Sequence, residues 1–135
     1  MQQGLSADRE SRERLIVLLR DLLGDRSEIA FAFIFGSFLD QPAFRDIDIA
    51  IWTTPKAPPR VDVELAAHAS AALGVPVDVR RVNDAPVSFM FHVLRGHPIV
   101  VRDEELLATL MERTAREYHD HAPLVRQATR DAFAR

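Results

Sequence analysis
The order of apolar and polar residues along the chain changes period several times, and each change marks an element. Over residues 8–23, Leu15, Ile16, Leu18, Leu19, Leu22 and Leu23 recur at i, i+3, i+4 and i+7, while Asp8, Arg9, Glu10, Arg12, Glu13 and Arg20 fill the remaining face. That spacing predicts an amphipathic helix, capped by Ser6 or Asp8, stopped at Gly24 and packed on a sheet as scaffold. An unbroken apolar run follows, Phe31-Ala32-Phe33-Ile34-Phe35, and ends abruptly at Gly36-Ser37. It reads as a buried strand feeding a tight turn or a short helix. After a short polar loop, Asp46, Asp48 and Ala50 alternate with Ile47, Ile49 and Ile51. Period-two geometry puts both carboxylates on one face of a strand and the isoleucines on the other.

The second half repeats the alternation of helix and strand. Pro55, Pro58 and Pro59 mark an exposed loop over residues 53–59. Lys56, the only lysine, reads as a solvated residue of that loop. Residues 61–73 form a second helix with Val61, Leu65, Ala69 and Ala72 or Leu73 inward and Gly74 as its stop. Residues 75–82 form a strand whose Val75, Val77 and Val79 share one face, with Asp78 projecting from the other beside Arg80. Asn83-Asp84-Ala85-Pro86 is a turn opening a helix, with Asn83 or Asp84 as cap. Phe89, Met90, Phe91, Val93 and Leu94 make residues 87–94 mostly core, and Ile99-Val100-Val101 is a short edge strand. From Asp103 to Phe133 the pattern is helical, with Leu106, Leu107, Leu110, Met111 and Thr114 apolar and a break at Pro123.

Composition narrows the class. A chain of 135 residues, 47% hydrophobic and 27% charged, is one globular domain with a proper core and little room for a second module. A net charge of −3 argues against broad nucleic-acid binding, so no direct nucleic-acid partner is expected. No cysteine is present, which excludes disulfides and thiolate metal sites and suits a reducing cytoplasm. No signal-like segment and no apolar run of membrane-spanning length appear, so a soluble, cytoplasmic protein is expected.

The candidate chemistry lies around Gly36. Two aspartates on one strand face repel each other, and strands are poor in Asp to begin with. A hard divalent cation offsets this: Mg²⁺ takes a few carboxylate oxygens together with water and substrate phosphates. A turn beginning Gly36-Ser37 offers backbone N–H groups and a hydroxyl to such phosphates. The competing interpretation is a two-sided strand with one wet face. Elsewhere, Glu64 and His68 have helical metal-ligand spacing but no third ligand nearby, and His119-Asp120-His121 reads as a solvated helix break.

Gly36-Ser37, eight residues, then Asp46-Ile47-Asp48 resembles the signature of the polymerase-beta-like nucleotidyltransferases. Within that superfamily the chain resembles the minimal nucleotidyltransferases of the MNT/HEPN (MntA-type) toxin–antitoxin systems, from about Ile29 to Val101. Its loop before Asp46 is shorter than in many members, with Pro42 in place of a glycine and Arg45 at its end. The resemblance implies an α/β (α+β) nucleotidyltransferase fold, a small mixed β-sheet flanked by helices. It would form a single domain over 1–135, with a core over 8–102 and a C-terminal helical segment, 103–135, able to dock on a partner. It also implies that Asp78 supplies a third carboxylate beside the Asp46–Asp48 strand; the alternative for Asp78 is a plain ion pair with Arg80.

The implied activity is Mg²⁺-dependent transfer of AMP from ATP to a hydroxyl, such as a tyrosine, of a HEPN-domain toxin, making the chain its antitoxin. Asp46, Asp48 and Asp78 would be both metal ligands and catalytic carboxylates for two Mg²⁺ ions, and Gly36 and Ser37 would bind the nucleotide. Two other functions fit the same fold: a catalytically silent antitoxin that works by occlusion, or a small-molecule, antibiotic-type nucleotidyltransferase. Both a homodimer and a hetero-oligomer are compatible with the sequence.

Overall fold
The computed structural model of the protein describes residues 5, 6 and 8–118. Eleven elements follow in order: β1 (Leu5–Ser6), α1 (Arg9–Gly24), β2 (Ile29–Phe35), α2 (Ser37–Asp40), β3 (Ala43–Phe44), β4 (Ile47–Thr53), α3 (Val61–Leu73), β5 (Val77–Arg81), α4 (Val87–Leu94), β6 (His97–Val101) and α5 (Glu104–Glu117). The main sheet has the order β5-β4-β2-β6 and is mixed: β4 and β5 run parallel, while β2 is antiparallel to both β4 and β6. Helices cover both faces, as the expected α/β fold requires.

Period-two alternation in the central strands sorts their side chains between two cores. Ala32, Ile34, Ile47, Ile49 and Ile51 pack with Leu19 and Leu23 of α1 and Val61, Leu65 and Ala69 of α3. Phe31, Phe33, Phe35 and Ala50 pack on the opposite face with Met90 and Val93 of α4 and Leu107 and Leu110 of α5. Each fully buried Phe, Ile or Leu contributes about 1.5–3 kcal/mol, so the two cores together hold the sheet rigidly. The carboxylate-bearing face of β4 is therefore not a wet face. Ala50, two residues beyond Asp48, is fully buried beneath α4 and α5.

Most element boundaries agree with the sequence to within two residues. Asp8 caps α1 by accepting from the Ser11 N–H at 2.8 Å, and Gly74 ends α3 at φ 74°. Leu18 and Met111, expected on apolar faces, are instead exposed at 42% each, because α1 and α5 each bury one narrow stripe. Neither Asn83 nor Asp84 caps α4, whose N-cap is Pro86. Asn83 instead accepts from the Thr53 N–H at 3.0 Å and donates to the Thr53 carbonyl at 2.8 Å, prolonging the strand pairing past the end of β5. Pro98 stands in β6, where an edge strand tolerates the missing donor. His119-Asp120-His121, Pro123 and the rest of the C-terminal segment lie outside the described residues.

Candidate nucleotidyl-transfer site
The site is built where β2, β4 and β5 end or begin side by side. Phe35, the last residue of β2, is the cross-strand partner of Asp48, and the chain turns immediately afterwards. Gly36 makes that turn at φ 85° and ψ −156°, a conformation essentially closed to residues with a side chain. A second constraint acts on the same atom, since a Cβ here would lie 2.7 Å from Asp48 Oδ2. Glycine is thus needed both for the turn and for the room that the carboxylate takes. The first residue of α2 is Ser37, and no side chain caps this short helix.

The segment expected as a polar loop is not one. It holds α2 and β3, and its two phenylalanines, Phe38 and Phe44, are each 2% exposed and pack edge-to-face at 4.8 Å. Arg12 of α1 clamps it. Its guanidinium donates to the carbonyls of Phe38, Gln41 and Pro42 and lies over both rings, 5.2 Å from Phe38 and 5.3 Å from Phe44. Periodicity assigned Arg12 to the solvated face of α1. The segment it holds lies about 26–30 residues further along the chain, and no local signal announces the contact.

Asp78 reaches the site through the β4–α3–β5 crossover. The Ile47 N–H donates to the Pro76 carbonyl at 3.0 Å, and the Val77 N–H donates to Ser70 Oγ of α3 at 2.9 Å. These bonds fix a parallel register in which Asp48 stands opposite Asp78. Asp46 lies just before β4, partly buried. Asp78 also pairs with Arg80 at 3.6 Å, but both side chains are more than half exposed, so the pair adds at most about 1 kcal/mol. The ion pair and the approach to Asp48 therefore coexist.

Asp48 feels both of the other carboxylates. Its carboxyl is pushed above the ordinary aspartate range, first by burial and then by the negative charges of Asp46 and Asp78; Arg80 and His92 oppose the shift. His92 and Phe89 belong to α4, and each ring packs edge-to-face with Phe35 at 5.5 Å. Arg80 lies over the Phe89 ring at 5.7 Å. The sequence marks Arg80 only as an ion-pair partner of Asp78 and Phe89 only as core, and it does not single out His92. The i, i+3 spacing of Phe89 and His92 was the available signal, hidden in a segment that reads as core.

Among the described residues no three acids or histidines are grouped as a ready metal cage. The carboxylates fit a different kind of site, one for a hard cation that keeps several waters and takes its remaining oxygens from substrate phosphates. The like-charge strain at Asp48 is what such a cation would relieve. Larger cavities of about 400 and 500 Å³ open around Thr54. They lie at the far end of β4, about 13–20 Å along the strand from Asp48, beyond direct reach of the carboxylates.

A Gly-Ser turn against an aspartate, with a second aspartate in register on the neighbouring parallel strand, defines the class as a nucleotidyltransferase fold. The family model for "Polymerase beta, Nucleotidyltransferase" matches residues 18–105, more than half of the chain, and the chain belongs to that family. Solved structures share the fold. A structure of tri-AMPylated Shewanella oneidensis HEPN toxin in complex with MNT antitoxin matches at 23% identity and a TM-score of 0.58, covering 94% of this chain and 98% of that one. The MntA-HepT toxin–antitoxin structure matches at 22% identity and a TM-score of 0.58, covering 95% and 100%. A toxin–antitoxin structure with AMP-PNP matches at 23% identity and a TM-score of 0.62, covering 91% and 98%. At these identities the likeness is one of fold. No curated protein sequence matches the chain.

Proposed function
We propose that this chain is a Mg²⁺-dependent nucleotidyltransferase of the cytoplasm that moves AMP from ATP to a hydroxyl of a HEPN-type toxin and thereby silences it. The observation that carries the reading is the register of Asp48 with Asp78 next to the Gly36 turn. The AMPylated toxin and the AMP-PNP complex among the proteins of the same fold support this donor and this acceptor class.

Gly36 lets the backbone approach the triphosphate, and Ser37 donates its hydroxyl and N–H to the phosphate oxygens. Asp46 and Asp48 would hold one Mg²⁺, and Asp48 and Asp78 a second. When bound, the metal neutralises phosphate charge and acts as a Lewis acid on the phosphoryl oxygens. Asp78, the most exposed of the three carboxylates, accepts the proton of the acceptor hydroxyl directly or through water. The hydroxyl oxygen bonds to the α-phosphorus, the bond to the bridging oxygen of the β-phosphate breaks, and pyrophosphate leaves.

The test is intact-mass spectrometry of the protein with its co-purifying partner after incubation with Mg²⁺ and each of the four nucleoside triphosphates. A gain of one or more AMP units on the partner, absent with Asp48→Asn, is the expected result. A stable complex with no mass change under any nucleotide would overturn the reading.

A further inference from the structure
The parallel pair β4 and β5 has two ends, and the proposed chemistry uses only one of them. Asp48 and Asp78 sit near the amino ends, whereas a separate cleft of about 400 Å³ opens where the two strands finish, at Thr53 and Arg81. Ligands of open α/β sheets collect outside the carboxyl ends of the strands, so this cleft stands where a bound molecule is expected. Its volume is that of a small-molecule site.

The walls are held by the fold itself. Asn83 accepts from the Thr53 N–H at 3.0 Å and donates to the Thr53 carbonyl at 2.8 Å, which fixes one side of the cleft. Arg81 Nη2 donates to the Pro58 carbonyl at 3.0 Å, tying β5 to the proline loop whose Pro55 and Ala57 complete the lining. The Trp52 indole is braced against the fully buried ring of Phe31, stacked at 5.8 Å, and also lines the cleft.

One atom of this wall is unprovided for. Arg81 Nε is buried and has no hydrogen-bond partner among the described residues. A buried guanidinium N–H left unpaired is unfavourable, and an oxyanion satisfies it best. The Thr54 hydroxyl, which accepts from the Lys56 N–H at 3.3 Å, keeps its own proton for the same acceptor. An indole beside these donors suits a flat ring joined to the oxyanion. Asp84, exposed in the same lining, repels the anion and limits its affinity.

We propose that this cleft is a second binding site, for a small molecule that joins a planar ring to a phosphate or carboxylate, with Arg81 holding the oxyanion and Trp52 the ring. None of its residues belongs to the site at Asp48, so occupancy here does not depend on AMP transfer.

Trp52 is the only tryptophan of the chain, so its fluorescence reads this cleft directly. The full chain is titrated with AMP and, separately, with benzoate, both in EDTA so that no divalent cation holds a nucleotide at the aspartates. Saturable quenching by at least one of them is expected, and the tighter of the two identifies which oxyanion the site takes. Arg81→Gln weakens that binding by about 10- to 150-fold, the range for a hydrogen bond to a charged group. Asp84→Asn, at an exposed position, tightens it by about 1.5- to 5-fold. Absence of a saturable response to both probes overturns the site and leaves Arg81 Nε to water. Adenosine or benzyl alcohol binding as tightly as its anionic counterpart overturns the oxyanion role, as does an unchanged affinity in folded Arg81→Gln. Should Arg81→Gln fail to fold, Asp84→Asn decides alone, and an affinity no tighter than that of the unsubstituted chain overturns the proposal.

Discussion

Gly36→Ala probes the site where its geometry is tightest. The backbone at φ 85° and ψ −156° costs a residue with a side chain about 1–3 kcal/mol. In a domain of this size that loss lowers Tm by roughly 3–15 °C. The second effect is local: the new Cβ would fall 2.7 Å from Asp48 Oδ2, whereas ordinary contact begins at 3.4 Å. The carboxylate must then retreat by roughly 0.7 Å, and since a misplacement of about 1 Å costs about 10²-fold in rate, transfer should fall roughly 10- to 100-fold. Thermal denaturation and the initial rate of AMP transfer measure the two effects separately. A double-mutant cycle with Asp48→Ala isolates the contact: Gly36→Ala should cost less stability in that background, because only the backbone strain remains. An alanine variant with unchanged Tm and a transfer rate within about twofold would refute the argument, for it would mean that Asp48 does not lean on Gly36.

Four further outcomes are expected. Asp48→Asn abolishes transfer yet raises stability at neutral pH, by about 0.5–2 kcal/mol, since it relaxes a destabilised functional group. The sign follows from linkage. With its pKa raised in the folded state above the usual 3.8, Asp48 makes the native protein hold more protons than the unfolded chain between the two values, so stability falls as pH rises through that window. The Tm gap between variant and wild type should therefore widen from about pH 4 toward neutrality and then level off, and a constant gap would contradict the assignment. Arg12→Ala should cost about 1–3 kcal/mol and increase amide exchange over residues 38–44, and Arg12→Lys should not restore it, because a single ammonium cannot reach three carbonyls and two rings. Gly96→Ala should unfold the chain or cost more than about 2 kcal/mol, because its Cβ would meet the Ile34 carbonyl oxygen at 2.2 Å. Gly24→Ala, with nothing within 4 Å, should be neutral or stabilising in the same denaturation assay.

Local periodicity made most of the fold legible. The alternation over residues 46–51 placed Asp46 and Asp48 on one side of a strand, and the unbroken run over residues 31–35 announced a strand covered on both faces. Long-range relations were not legible in the same way. Ala50 is small enough for either a wet face or a tight core, and only the arrival of α4 and α5 from residues 87–117 decides it. The placing of Asp78 against Asp48 rested on family resemblance, since a parallel register is set by the crossover and its anchors at Pro76 and Ser70 rather than by β5 itself. Phe38 and Phe44 went unread as core because α2 and β3 are too short to show any period. Arg12 reads as a surface cation in any helical projection, and its role appears only once α2 and β3 lie beside α1.

The same energetics separate a working transferase from a silent antitoxin that merely occludes its partner. A site without chemistry has no use for a half-buried aspartate that burial and two neighbouring carboxylates hold in an unfavourable state. Replacing Asp48 by an uncharged isostere would stabilise such a protein and leave its docking surface intact, and Gly36 could then be relieved of its strained turn. Under the proposed function, a bound cation and a triphosphate would repay that strain during turnover, as expected where activity requires a destabilised site. Mg²⁺ with a non-hydrolysable ATP analogue should therefore stabilise the wild type, by about 2.7 kcal/mol at a ligand concentration one hundred times Kd, and raise its Tm, but leave Asp48→Asn unchanged. A protein that binds its partner and shows no such ligand-dependent stabilisation would instead be the silent antitoxin, and the strain at Gly36 and Asp48 would have no counterpart in its function.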